Sequence, residues 1–199
     1  MKNRKVISNI FIIVGMVCIA AALLLALMNE YDNKKSLQNE RAVVVALKEQ
    51  DEQKEIVSAD SIYEDEDIYY LPIEYINGNG YIGFLSFDTF ENEFPVMEQW
   101  DYDKLKISVC RYSGDLENNL VIAGHNYREG FGKLKTLSEG DRVYFTTVDG
   151  RVFEYEVGLK EILEPADIEE MISGPWDMSL YTCTYGGKQR MTIRCKRCE

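Results

Sequence analysis

The chain is poor in histidine: among 199 residues there is one, His125, against five cysteines. Any chemistry that needs an imidazole therefore has a single candidate. Cys195 and Cys198 form Cys-Lys-Arg-Cys, but no second pair of ligands stands at suitable spacing, so half of a zinc site is missing and no metal or cofactor is implied. Basic residues are also scarce, 22 Lys and Arg against 34 Asp and Glu, which gives a net charge of −12. A groove that follows phosphates would work against that field, which argues against nucleic acid as a partner. There is no internal repeat, no low-complexity tract and no sustained heptad.

What is present begins with an uncharged apolar run, Ile10 to Met28, long enough to cross about 30 Å of hydrocarbon as a helix. A cleaved signal peptide would have a shorter apolar region and a small-x-small cleavage site, which this run lacks. Lys2, Arg4 and Lys5 precede it and favour a cytoplasmic N-terminus, although Lys34 and Lys35 weaken that asymmetry. The expected organisation is a cytoplasmic segment 1–9, a membrane anchor 10–28, a charged helical spacer 29–70 and an outside domain 71–199. Within the spacer, the carboxylates of EDED at 64–67 read as a solvated face rather than a cation site.

From residue 71 the pattern is that of a mainly β domain. YIGFLSF (81–87), LKISVC (105–110), NLVIAG (119–124), DRVYFTT (141–147), RVFEYEV (151–157), SLYTC (179–183) and QRMTIRC (189–195) are short runs rich in β-branched and aromatic residues. Asp149-Gly150 marks a hairpin, and FGKLKTL (131–137) and ADIEEMI (166–172) read as short helices. So many strands in so short a span predict a closed or nearly closed barrel.

The stretch SLYTCTYGGKQR then fixes a register. A two-residue primed turn at Gly186-Gly187, where both residues can take positive φ, places Cys183 opposite Arg190. The period of two puts Ser179, Tyr181, Cys183, Arg190, Thr192 and Arg194 on one mainly polar face, expected to be a site. Leu180, Thr182, Met191 and Ile193 take the other face, expected to be core. Arg194 pairs with Ser179, about 13 Å from the thiol at about 3.3 Å per residue, so Arg190 is the guanidinium near the sulfur.

A thiol is only a few per cent ionised at neutral pH and needs a base, usually histidine, to act as a nucleophile. His125 ends an apolar strand after the small residues Ala123 and Gly124, where a side chain is exposed and a substrate can approach. Arg190 would supply permanently charged donors to an oxyanion formed at an attacked carbonyl.

AGH (123–125), SLYTC (179–183) and an arginine on the following strand resemble the signature of bacterial sortases, whose cysteine motif is usually Thr-Leu-x-Thr-Cys. Ser179 stands where the first threonine is usual. The resemblance covers roughly 71–197, with YIGFLSF, FPV (94–96), NNLVIAGHNY, FGKLKTLSEGDRVYFTT and RVFEYEV in the family's order. It implies a closed eight-stranded β-barrel transpeptidase on the outer face of a Gram-positive-type plasma membrane. Such an enzyme cleaves a Leu-Pro-x-Thr-Gly-like sorting motif of a surface protein through a thioacyl intermediate and passes the acyl group to a cell-wall or pilin amine. Cys183 would be the nucleophile, His125 the acid and base, and Arg190 the oxyanion and substrate stabiliser. Asn126, Ser179, Tyr181, Thr182 and Arg194 are the expected substrate-binding positions. The helical segment within EPADIEEMISGPWD (164–177) is similar to that of class B sortases.

Two other readings stand beside this one. A membrane-anchored barrel that only binds would carry an inert Cys183, and a thiol oxidoreductase would work through Cys195 and Cys198 without His125. Cys18 reads as an apolar residue of the anchor and Cys110 as a buried strand residue.

Overall fold

A computed structural model describes residues 2–58 and 69–198. The acidic run 64–67 lies outside the described residues. Helix α1 spans Lys2–Ser58, and the chain divides into two compact units, one running to Lys35 and the other from Ser36 onward. In the first unit, residues 11–31 are exposed throughout and apolar enough to cross a membrane, with a mean hydropathy of 2.9 in the most apolar window.

The second unit is a barrel. Its strands are β1 (Glu74–Ile76), β2 (Asn79–Phe87), β3 (Phe94–Met97), β4 (Val109–Ser113), β5 (Leu120–Gly124), β6 (Arg142–Thr147), β7 (Val152–Leu163), β8 (Met178–Cys183) and β9 (Arg190–Arg197), with α2 (Ile168–Ile172) between β7 and β8. The ring runs β2-β3-β4-β5-β8-β9-β7-β6 and closes where β6 pairs with β2. Eight strands thus form the closed barrel that the sequence predicts, and β1 is a hairpin partner of β2 outside the ring. Two pairs are parallel, β3 with β4 and β5 with β8, so the sheet is mixed.

The interior follows the alternation of each strand. Ile82, Leu85, Phe94, Val96, Leu120, Ile122, Phe145, Tyr155, Leu180 and Ile193 belong to one buried cluster. At about 25 cal/mol per Å² of apolar surface, this cluster is the main source of the barrel's stability. A register shift between Tyr81 and Gly83 puts Tyr81 and Phe84 together on the outward face, where a second cluster forms. That cluster is completed by Val43, Val44 and Leu47 of α1, packed on Tyr81, Phe84, Met97, Cys110 and Val148. Part of the segment expected to be a spacer is therefore docked against the domain; within AVVVAL, Val43, Val44 and Leu47 form the packing face while Val45 is exposed.

Local chemistry moves several expected boundaries. LKISVC does not form one strand, because the Asp101 carboxylate accepts bonds from the N–H groups of Asp103 and Lys104 at 2.7 and 2.8 Å and starts a 3-10 turn over Lys104–Lys106. The strand begins only at Val109. β7 runs well past the expected 157, crossing a register shift between Val157 and Leu159. Gly158 sits within that shift, where a Cβ would meet the Trp176 ring at 2.9 Å. At the β6–β7 hairpin, Gly150 has φ 84 and accommodates a three-residue loop between Thr147 and Arg151.

Candidate active site

The C-terminal ends of β5 and β8 run side by side in parallel. Ala123 pairs with Tyr181 and Gly124 with Thr182. Carried one residue further, this register sets His125 beside Cys183. On the other side of β8, Cys183 pairs with Arg190 of β9. Ile122, Leu180 and Ile193 point into the barrel, so His125, Cys183 and Arg190 share the outward parity. Three neighbouring strands about 4.8 Å apart thus carry an imidazole, a thiol and a guanidinium in a row. All three residues are half-buried.

Two side-chain bonds hold this row in register. The Thr182 hydroxyl donates to the Gly124 carbonyl at 2.8 Å, just before His125. The Asn126 amide donates to the Thr184 carbonyl at 3.3 Å, just after Cys183. Each bond links the His-bearing strand end to the Cys-bearing one, on either side of the pair. Gly124 has a packing reason: a Cβ there would lie 2.4 Å from the Phe131 ring, which fills the barrel beneath it.

The hairpin after Cys183 has the expected register and a different tip. Gly186 and Gly187 both have positive φ, 84 and 73. The Gly187 N–H, however, donates to the Thr184 carbonyl at 2.8 Å, and Thr184 N–H donates to the Gln189 carbonyl at 2.9 Å, so the loop spans residues 185–188. The next pair inward, Cys183 with Arg190, is then of the type in which side chains approach most closely. The Arg190 Nη1 donates only long bonds, to the carbonyls of Gly187 and Gln189 at 3.3 and 3.4 Å. No carboxylate among the described residues pairs with it.

Farther down the same face the surroundings change. Arg194 is 2% exposed and donates to Glu161 at 2.8 Å, to the Met171 carbonyl at 2.8 Å, to the Ser179 hydroxyl at 2.8 Å and to the Glu170 carbonyl at 2.6 Å. Ser179 is fully buried and donates to the Asn119 side chain at 2.8 Å. Thr192 is covered by Met171, and the half-buried Tyr181 ring lies 5.7 Å from that of Tyr112. The 164–177 connection, with its five-residue helix α2, is pinned over this end by the arginine beneath it. The polar face that the sequence presents as one site is thus open only around Cys183 and Arg190. Of the expected substrate-binding positions, Asn126 is exposed, Tyr181 is half-covered, Thr182 is tied to β5, and Ser179 and Arg194 are sealed.

Burial holds the His125 imidazole below its ordinary pKa, and the Lys106 ammonium adds to the effect. The ring is therefore mainly neutral at pH 7, competent to accept a proton. Its centroid lies 5.2 Å from that of Tyr127. Cys195 faces the barrel core, where burial pushes its thiol up to about 12. Cys198 is half-buried and accepts a bond from Arg142. Both are free thiols in different environments, which removes the support for an exchange reaction through this pair.

No curated protein matches the chain. Solved structures do. A sortase D5 transpeptidase from Clostridium perfringens aligns with a TM-score of 0.60 and 21% identity, over 81% of this chain and 99% of that one. Sortase A from Corynebacterium diphtheriae gives 0.55 and 20%, over 88% and 96%. Sortase C from Streptococcus pneumoniae gives 0.55 and 22%, over 82% and 96%. These three carry different class letters, and one five-residue helix in 164–177 is too little to carry a class B assignment. The family model described as Sortase domain matches residues 85–198, more than half of the chain and the span from the end of β2 through β9 that carries the row, and the chain therefore belongs to the sortase family of cysteine transpeptidases.

Proposed function

We propose that this sortase is anchored in the plasma membrane by residues 10–28, with its barrel outside, and that Cys183, His125 and Arg190 carry the reaction. The observation that carries the reading is the register that lines these three side chains up at the uncovered end of the β8–β9 face. In the first half-reaction the neutral His125 imidazole takes the proton of the Cys183 thiol, and the resulting thiolate attacks the carbonyl carbon of the scissile amide and forms a C–S bond. The negative charge that develops on the carbonyl oxygen is met by the Arg190 guanidinium. The C–N bond then breaks, and the leaving amine takes a proton from the His125 imidazolium. In the second half-reaction an amine attacks the thioester, gives its proton back to His125 and expels the thiolate.

The substrate class is a surface protein bearing a Leu-Pro-x-Thr-Gly-like sorting motif, and the acceptor is an amine of a cell-wall precursor or of a pilin. Support for this comes from the family and from the apolar helix; the related Streptococcus pneumoniae sortase C is described with pilin substrate specificity. The test is to incubate the full chain, in detergent, with a library of sorting-motif peptides and a primary amine. Cleavage with amine-dependent transfer, lost in Cys183→Ala, is the expected result. Cleavage that persists when all five cysteines are replaced would reject the nucleophile assignment.

A further inference from the structure

Glu40 is an anomaly in the seam between α1 and the barrel. Its side chain is buried, 6% exposed, within the stretch of helix that seats Val43, Val44 and Leu47 on the outward face of β2, β3 and β4. A buried carboxylate is ordinarily matched by a cation, and among the described residues no Lys or Arg pairs with Glu40. On its own helix Glu40 meets the Ser36 hydroxyl, and the barrel presents the Tyr81 phenol and, next to it, the Cys110 thiol. Around the adjoining cleft of about 600 Å³, Lys48 is committed to Glu93 at 2.6 Å and Lys133 to Glu129 at 3.3 Å. Glu91 adds negative charge there, and Arg41 faces water. The open cleft gives the Glu40 proton a route to solvent.

We propose that residues 36–47 form a proton-linked clamp, seated on the outward face of β2–β4 while Glu40 carries its proton and released more readily as that proton is lost. The footprint of the clamp ends on Cys110, which pairs with Ala123, two residues before His125. Docking therefore stiffens the wall beside the strand that presents the imidazole. The direction of the linkage follows from burial, which raises the Glu40 carboxyl to about 8 when docked, against about 4.3 for a free glutamate. Below about pH 4.3 both states are neutral and docking is strongest. Between the two values the docked state must hold a proton that the released state gives up, so docking weakens by up to tenfold per pH unit. Above about 8 the loss levels off.

The chain carries its own reporters. Cys110, under the clamp, and Cys195, inside the barrel, are both fully buried. The full chain in detergent is reacted with a pyridyl disulfide between pH 5 and 7.5, and labelling of each cysteine is read by peptide mass and normalised to a cysteine-containing reference peptide at the same pH. The clamp requires that Cys110 labelling rise steeply, approaching tenfold per pH unit, while Cys195 stays protected. It also requires that Glu40→Gln and Glu40→Met give slow, pH-independent labelling, the apolar variant guarding against a fold lost through the amide. A flat wild-type profile, an equal rise in both variants, or Cys195 reacting in step with Cys110 would overturn the proposal.

Discussion

Two arginines of β9, four residues apart on one face, occupy opposite situations. Arg194 is enclosed, with a carboxylate, a hydroxyl and two helix carbonyls satisfying its guanidinium. Arg190 has two long bonds to its own hairpin loop and no acidic partner among the described residues. Both sit opposite a polar residue of β8, Ser179 and Cys183 respectively. The alternation of the strand treats them alike, and the cover decides between them. Where the 164–177 connection lies over the sheet, the guanidinium is a structural tie. Where that connection ends, the same group is left without such a tie.

The largest effect expected is that of Cys183→Ala, which should abolish cleavage while leaving the melting temperature near that of the natural chain, since Cys183 is half-buried at a strand end rather than in the core. Arg190→Ala should come next, lowering turnover by about 10²–10³-fold, with partial recovery in Arg190→Lys, because an ammonium keeps the charge but not the planar fork. Arg194→Ala should invert the pattern. Loss of its bonds leaves buried carbonyls and the partly exposed Glu161 unmatched, at a cost of about 2–3 kcal/mol in stability, while turnover of the folded protein falls by less than about tenfold. If Arg194→Ala damages turnover more than Arg190→Ala in folded protein, the division of the face is wrong.

How far that division could be read from sequence is instructive. The glycine pair and the period of two were enough to oppose Cys183 to Arg190 and Ser179 to Arg194, because strand register is a local property of a hairpin. The tip differed because Thr184 captures Gly187 rather than letting the glycines stand alone between Tyr185 and Lys188. The enclosure of Arg194 depends on the 164–177 connection folding back over β8 and β9, a tertiary event that no local pattern encodes. The same holds for α1, whose valines look like a helix-favouring spacer until Met97 and Cys110 are seen beneath them. β3 carries little strand signal of its own, being four residues long and containing Pro95, and FPV is marked only by the resemblance.

The smallest expected effect sharpens the electrostatic side of the open end. Burial and Lys106 both lower the His125 pKa, so turnover should fall as the pH drops through a value below the usual 6.5, and fall again in alkali, giving a bell. Lys106→Gln removes a repelling ammonium, so the acid limb should move upward toward the ordinary histidine value, with little change in maximal rate. Movement in the opposite direction, or a rate that climbs monotonically to alkaline pH, would argue against histidine as the proton carrier.

The most direct measurement is the mass of the acyl-enzyme. The full chain, mixed with an intact sorting-motif peptide in the absence of an amine acceptor and quenched in acid, should carry the N-terminal acyl fragment on the peptide containing Cys183. That adduct should be labile to hydroxylamine and should be transferred when an amine is added. An adduct on Cys198 or Cys110, or cleavage proceeding in Cys183→Ala without any thioester, would contradict the account.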